Sequence, residues 1–389
     1  MIAAGGRALR VAGLFAGIGG IELGLSAAGH EPVLLAELLP EARAVLAAHI
    51  DAPVVPDVRE IADLPAEVDL LTAGFPCQDL SSVGRKGGIS GTKSKLVGEV
   101  FRLLERRPVD WVVMENVPFL LHLDKGKAMR LVVGALEELG YAWAYRVVDT
   151  QAFGLSQRRR RVVIVASRVG DPREVLLADD GPAPSVGTDR PAHGFYWTEG
   201  TRALGWAVDA VPPIKGGSSV GVASPPAILC PDGTVGTPDL RDAERLQGFP
   251  SAWTAPAAEV AKDRYRWRLV GNAVSVPVST WVGRRLSEPG DYLFADAESP
   301  LADRWPKAAH GAPGRPPVAV PAGPFPVVLD RPALMDFLDH PLVPLSRRAT
   351  EGFLRRYRSG TLRRKPLLED ALDAHLARMA AADADRSAA

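Results

Sequence analysis

Two rhythms of apolar and polar positions alternate over the first 167 residues. Short apolar runs at 11–15, 33–37, 70–73, 111–114 and 162–166 each predict a buried strand. Between them, residues 22–28, 41–49, 96–105 and 129–139 repeat their apolar positions with helical spacing. Gly29 and Gly140 follow two of these helical segments, where a left-handed cap is favoured. Strands alternating with helices predict a parallel sheet covered on both faces. Residues 1–167 therefore read as the first part of a doubly wound α/β domain with a mostly parallel, Rossmann-like sheet.

The pattern breaks at residue 168. Residues 168–237 are rich in Gly and Pro, with scattered aromatics and no clear helix, and predict an inserted module of short strands and loops. A helical segment returns at 239–247 and an apolar stretch follows at 270–286, so 238–287 reads as the returning part of the first domain. Residues 288–389 read as a linker and a C-terminal extension. The eight prolines between Pro300 and Pro326 predict the linker, and helical patterns at 333–338 and 367–379 follow it. On this reading the tail is separable from the rest.

Composition narrows the class. A chain of 389 residues has room for about two domains. With 47% hydrophobic and 24% charged residues it is an ordinary globular chain. No apolar run approaches the ~20 residues that span a bilayer, and the N-terminus lacks a secretory pattern, so neither a membrane partner nor secretion is expected. Two cysteines, Cys77 and Cys230, exclude a disulfide scaffold or a Cys-rich zinc module, and no metal site is expected. The formal net charge is zero, so any nucleic-acid partner must be read from local patches.

Four local patterns carry chemistry. Phe15, Ala16, Gly17, Ile18, Gly19 and Gly20 join a strand end to a helix, where glycines let a ligand approach the backbone. Alone this could be a plain turn. With Glu37 and Asp57 past the next two apolar runs it reads as an adenosine site. Gly74, Phe75, Pro76, Cys77 and Gln78 follow another strand, and Cys77 is either a nucleophile or a buried thiol. The polar, glycine-rich stretch 81–91 favours the nucleophile, since such a loop can close over a substrate. Cys230, beside Pro231, has no such setting and reads as structural. Met114, Glu115, Asn116 and Val117 offer an acid for proton work, or a mere cap. Gln157 precedes four consecutive arginines, 158–161, which cannot all be buried; some should face an anion unless the run is a solvated turn.

Taken in order, these patterns resemble the cytosine-C5 DNA methyltransferases over residues 11–286. Arg245, Leu246, Gln247, Gly248, Phe249 and Pro250, then Gly271, Asn272, Ala273 and Val274, are similar to that family's last two motifs. The resemblance implies S-adenosylmethionine as cofactor. Phe15, Gly17, Gly19, Gly20, Glu37, Asp57, Pro76, Leu96 and Asn272 would hold it, with Phe15 against the adenine, Glu37 on the ribose and Asp57 on the adenine amine. Cys77 would be the nucleophile and Glu115 would hold the base at N3. Arg159 and Arg161 would help hold the base and nearby backbone, and 168–237 would choose the DNA sequence. Residues 270–286 would return to pack beside the first strand.

The implied substrate is double-stranded DNA, with the target cytosine flipped out. The implied setting is a bacterial restriction-modification or phage-defence system, acting as a monomer in the cytoplasm and on the nucleoid. A tRNA-modifying branch of the family is disfavoured, because Cys230 is followed by Pro231 and not by that branch's Cys-Phe-Thr signature. A non-catalytic DNA-binding relative is disfavoured by the intact Cys77 and Glu115 motifs. Departures from the family pattern are Leu38 where an aromatic is common, Lys95 where a glycine is common, and Asp242 where Glu is usual. Outside the resemblance, residues 347–365 hold eight basic side chains, with Phe353 and Tyr357 interleaved and Glu351 the sole acid. Such a stretch could grip a nucleic-acid backbone, or be a solvated or protein-docking helix face.

Overall fold

The computed structural model describes residues 7–75, 96–186, 188–199, 201, 203–217 and 223–388, without the side chains of 382–388. The chain runs through β1 (Arg10–Leu14), α1 (Gly20–Ala27), β2 (Glu31–Ala36), α2 (Pro40–His49), β3 (Val54–Val55), β4 (Leu70–Gly74), α3 (Leu96–Arg106), β5 (Trp111–Asn116), α4 (Lys127–Glu138), β6 (Ala142–Asp149) and β7 (Arg160–Ser167). Then come α5 (Pro172–Leu176), β8 (His193–Phe195), β9 (Ala207–Val208), β10 (Ala227–Leu229), β11 (Val235–Thr237), α6 (Leu240–Arg245), α7 (Tyr265–Asn272) and α8 (Val276–Ser287). The C-terminal part adds β12 (Ser299–Pro300), β13 (Ala308–Ala312), β14 (Arg315–Ala319), α9 (Leu334–Phe337), β15 (Val343–Pro344), α10 (Arg347–Ser359) and α11 (Pro366–Ala388). These elements form two compact units: 1–153, 160–183 and 273–329 in the first, and 154–159, 184–272 and 330–389 in the second.

The first unit is built on one sheet in the order β12-β14-β13-β6-β7-β5-β4-β1-β2-β3. Strands β1 to β5 pair in parallel, as the alternating pattern predicts. All five predicted strands and all four predicted helices are present. Gly29 and Gly140 take φ of 91° and 82°, and in each case the next residue's N–H reaches back to close the helix end. The sequence reading missed β6, whose apolar residues are interrupted by Arg146. Because β6 precedes β7 as its antiparallel neighbour, β7 also runs antiparallel to β5. Helix α8 packs on α1, with Gly24 against Ser279 and Gly283 against Ala28, and shares a core cluster with Val11 of β1. Its nearest partner is thus the first helix as well as the first strand.

Residues 300–326 are not a free linker. Strands β13 and β14 form a hairpin that extends the sheet from β6, and Ala308, Ala309, Val320 and Ala322 are buried. The prolines fall where the hairpin can spare an N–H, at its edge and in flanking loops.

The main segment of the second unit begins at Pro184, so the first residues of the predicted module, including α5, belong to the first unit. Its sheet, β15-β11-β10-β8-β9, has strands of only two or three residues, each pair antiparallel. Strands that short need a partner face. The C-terminal chain supplies it: Phe353, Leu354, Tyr357, Leu368 and Leu372 form one cluster with Phe195, Leu229 and Val235. Buried Asp242 accepts the N–H groups of Asp339 and His340 and pairs with Arg245, so the shorter acid at this position anchors the tail. The tail is therefore part of this unit's core.

Candidate active site

The glycine turn stands at the end of β1. Phe15 takes φ of 57°, uncommon for a bulky residue and found where structure around it enforces the conformation. Gly17 and Gly19 are also left-handed, at 59° and 83°. Among the described residues a side chain on Gly17 would meet nothing within 4 Å, whereas one on Gly19 would strike Ile50. The turn thus leaves a vacant approach at Gly17 and closes tightly at Gly19, and Gly20 opens α1.

Glu37 follows β2 and is almost fully buried. Its carboxyl accepts the N–H of Gly17 at 2.8 Å and that of Leu39 at 2.8 Å. Burial pushes the group above the ordinary carboxylate range, and the N–H groups of Leu39, Gly17 and Leu38 and the charge of Arg43 oppose that shift. A carboxylate offers about four acceptor directions, so acceptor capacity remains for a ligand hydroxyl. The donor set and the open approach at Gly17 fit an adenosine ribose. Leu38, where an aromatic is usual, is 60% exposed.

Asp57 accepts the N–H of Arg59 at 3.0 Å and its guanidinium Nε at 2.9 Å, which holds the carboxyl below its usual range. Asp171 with Arg173 and Asp239 with Arg241 repeat this Asp-x-Arg arrangement at the starts of α5 and α6. A local capping device therefore accounts for the posture of Asp57 without any ligand. Leu96 opens α3, and Arg102 on that helix donates to the carbonyl of Ile61 at 2.8 Å, tying α3 to the segment that follows Asp57.

The second corner lies where β4 and β5 end. Gly74 stands in register with Glu115 across the parallel pair. Buried Asn116 donates from Nδ2 to the carbonyl of Phe75 at 2.9 Å. Glu115 pairs with Arg161 at 2.9 Å, with the two side chains only 13% and 14% exposed. The chain that leads into the cysteine motif is thus fastened beside a sheltered acid. Pro76, Cys77, Gln78 and the stretch 81–91 lie outside the described residues.

The arginine run divides by burial. Arg158 and Arg160 are exposed, while Arg159 is 1% exposed and Arg161 half-buried. Arg160 pairs with Asp149 at 3.1 Å. In the second unit Arg159 donates to the carbonyls of Ile214 and Gly271 at 3.2 and 3.1 Å. Gln157 donates to Leu246 and accepts from Ile214, and Gln247 donates to Val270. Gln157, Arg159 and Gln247 thereby knit four separate stretches of that unit. The sequence reading quoted both glutamines without giving them a role; their burial as polar side chains is a tertiary fact. Asn272 ends α7 and is exposed, and Gly271 before it lies against the backbone of Lys215 and Gly216, where no side chain would fit. Among the described residues no group of His, Cys, Asp or Glu could hold a metal ion, and no helix is long and apolar enough to cross a membrane.

The family model of the C-5 cytosine-specific DNA methylase matches residues 9–186. Type II methyltransferase M2.BsuMI of Bacillus subtilis (strain 168) is 49% identical over 365 residues, covering 90% of this chain and 93% of that protein. Type II methyltransferase M.DsaV of Dactylococcopsis salina is 28% identical over 315 residues, covering 72% and 86%. Among solved structures, S. pombe Dnmt2 methyltransferase aligns at 17% identity over 72% of this chain and 98% of that one, with a TM-score of 0.49, too remote to argue from.

Proposed function

This chain belongs to the C-5 cytosine-specific DNA methylases and is a DNA cytosine-5 methyltransferase, and from that premise we propose its cofactor, its nucleophile and its setting. S-adenosylmethionine supplies the methyl group when bound. Phe15, Gly17, Gly19, Gly20, Glu37, Asp57 and Leu96 hold its adenosine, with Pro76 and Asn272 completing the site. Cys77 adds to C6 of a cytosine flipped from double-stranded DNA.

The observation that carries this reading is the register of Gly74 with Glu115, reinforced by the bond from Asn116 to Phe75. It brings the approach to Cys77 and a sheltered acid to one end of the sheet, where chemistry in such folds resides. The ring carbon C5 is a poor nucleophile. Addition of the Cys77 thiolate to C6 pushes an electron pair onto C5, and a proton held between Glu115 and N3 stabilises the charge that develops. C5 takes the methyl group, a base removes the C5 proton, and the C6–S bond breaks to release Cys77. Arg161, ion-paired with Glu115, fixes that carboxyl in place, and Arg159 acts by bracing backbone. Flipping the base costs a few kcal/mol, which residues of the second unit offset by binding DNA. The relatives' Type II designation supports a place in restriction-modification within a bacterial cytoplasm, where methylation would mark self DNA against a cognate nuclease and so serve phage defence.

Duplex DNA with 5-fluorocytosine at the target tests the nucleophile. Fluorine cannot leave as a cation, so the final elimination stalls. A denaturation-resistant complex should form with the wild type and S-adenosylmethionine, and none with Cys77→Ser. An active preparation that gives no complex, or a crosslink through Cys230, refutes the assignment.

A further inference from the structure

Glu22 has no part in the reaction as described above, yet it is held in a built site. It lies in the first turn of α1, directly after the glycine turn, and is 1% exposed. Gly13 of β1 makes room for it, since a methyl group there would collide with the carboxyl. Oε1 accepts from Thr72 of β4 at 3.2 Å. Oε2 is sealed from solvent and has no hydrogen-bond partner among the described residues.

Among the described residues its surroundings offer it no cation. Gly13 from β1, Thr72 from β4 and Leu35 from β2 are neutral, and α8 meets α1 through Val276, Ser279 and Gly283. The ionisable residue whose charge reaches it is another acid, Glu37, itself bonded to Gly17. Burial raises the Glu22 carboxyl to about 7, so it exchanges its proton near neutrality. Two acids thus flank the glycine turn, and a cation bound there would complete the charge balance.

We propose that Glu22 is a specificity-determining residue whose buried charge makes the cofactor site prefer the cationic sulfonium of S-adenosylmethionine to the neutral thioether left after transfer. The proposal rests on the cofactor reading above. It explains how a site that grips one adenosine ligand can release a nearly identical product. By linkage, a ligand cation should draw the proton off Glu22 and bind better as pH rises, while the thioether should gain nothing.

Dissociation constants for S-adenosylmethionine and S-adenosylhomocysteine, measured by calorimetry on the full chain from about pH 6 to 8, test this. For the wild type, the preference for the sulfonium should grow with pH by on the order of tenfold. In Glu22→Gln it should lose that dependence. Titration of the ligands' own amino groups is common to both proteins and cancels in the comparison. If the Gln variant does not fold, Thr72→Val retains the acid without its donor and should move the transition to higher pH. Repeating the wild-type titration in buffers of different ionisation enthalpy should also show proton release with the sulfonium ligand and not with the thioether. An identical pH course with and without Glu22, or equal proton release for both ligands, overturns the proposal and leaves the cofactor reading standing. Failure of both ligands to bind overturns the two together.

Discussion

The two units divide the chain's charge unequally. The first holds 24 of the 46 basic residues and 28 of the 46 acidic ones, and the second holds 22 and 18. A chain with no net charge thus separates into an acidic unit that carries the glycine turn, the approach to Cys77 and Glu115, and a basic unit that carries most of the expected DNA-recognition residues. They also differ in construction. The first stands on strands of up to eight residues in a ten-stranded sheet, whose two faces bury core clusters. The second has strands of two or three residues, joined by buried amides, a buried guanidinium and tail helices. The lesson is that global charge says nothing about a nucleic-acid partner when the units differ in sign.

The hardest test of that difference is truncation. Ending the chain after Leu329 removes β15 and the apolar side chains of α10 and α11 from the second unit's core. Proteolysis should then degrade residues 184–272 while the first unit stays resistant, and a fully resistant product would show that the tail is separable after all. Ending it after Ser299 should also destabilise the first unit, because β13 and β14 leave the sheet.

A gentler version is Phe353→Ala. Phe353 is fully buried, 5.4 Å from the ring of Phe195 and 5.5 Å from Tyr357. The expected loss is roughly 3–5 kcal/mol, read by denaturant melts of the second unit. A change below 1 kcal/mol would mean that the tail helix merely rests on the sheet.

The acid side of the comparison has a pH signature. The folded chain holds the Glu22 proton up to about 7, against an ordinary carboxyl value of 4.5. Folding is therefore favoured while the proton is retained, and stability should fall as pH rises from about 4.5 to 7, by about 3 kcal/mol, and level off above. Melting curves of wild type and Glu22→Gln should diverge across that window alone; parallel curves would show that Glu22 does not titrate there.

For chemistry, Glu115→Gln keeps the shape and removes the transferable proton. A rate loss of at least ~100-fold is expected with folding intact. Near-normal turnover would remove Glu115 from its role and leave Arg161 with a purely structural partner.

The smallest effect belongs to the basic stretch 347–365. Phe353 and Tyr357 are core residues, so no aromatic there can stack on bases. Arg347 pairs with Glu351, Arg358 with Asp373, and Arg356 donates to backbone carbonyls. Arg348, Arg355 and Arg363 are exposed without a carboxylate partner among the described residues. If they meet DNA phosphates, replacing all three by Gln should reduce the salt slope of binding by up to about 3. An unchanged slope assigns them to solvent.

Sequence alone determined the parallel half of the sheet and its helices. Apolar period and glycine caps are local signals, and β1, β2, β4 and β5 are long enough to carry one. It also placed Glu37, Asp57 and Glu115 at strand ends, since motif and strand are contiguous in the chain. Tertiary structure decided the rest. Which arginine of 158–161 turns inward, and that no cation among the described residues reaches Glu22, are facts about neighbours distant in sequence. The proline-rich hairpin read as a linker because proline's missing N–H is a local property, whereas the β6 edge that pairs with it lies some 160 residues earlier. Strands of two or three residues carry too little periodicity to be seen, and only the burial of Phe353 and Tyr357 against them showed that the tail completes the second unit.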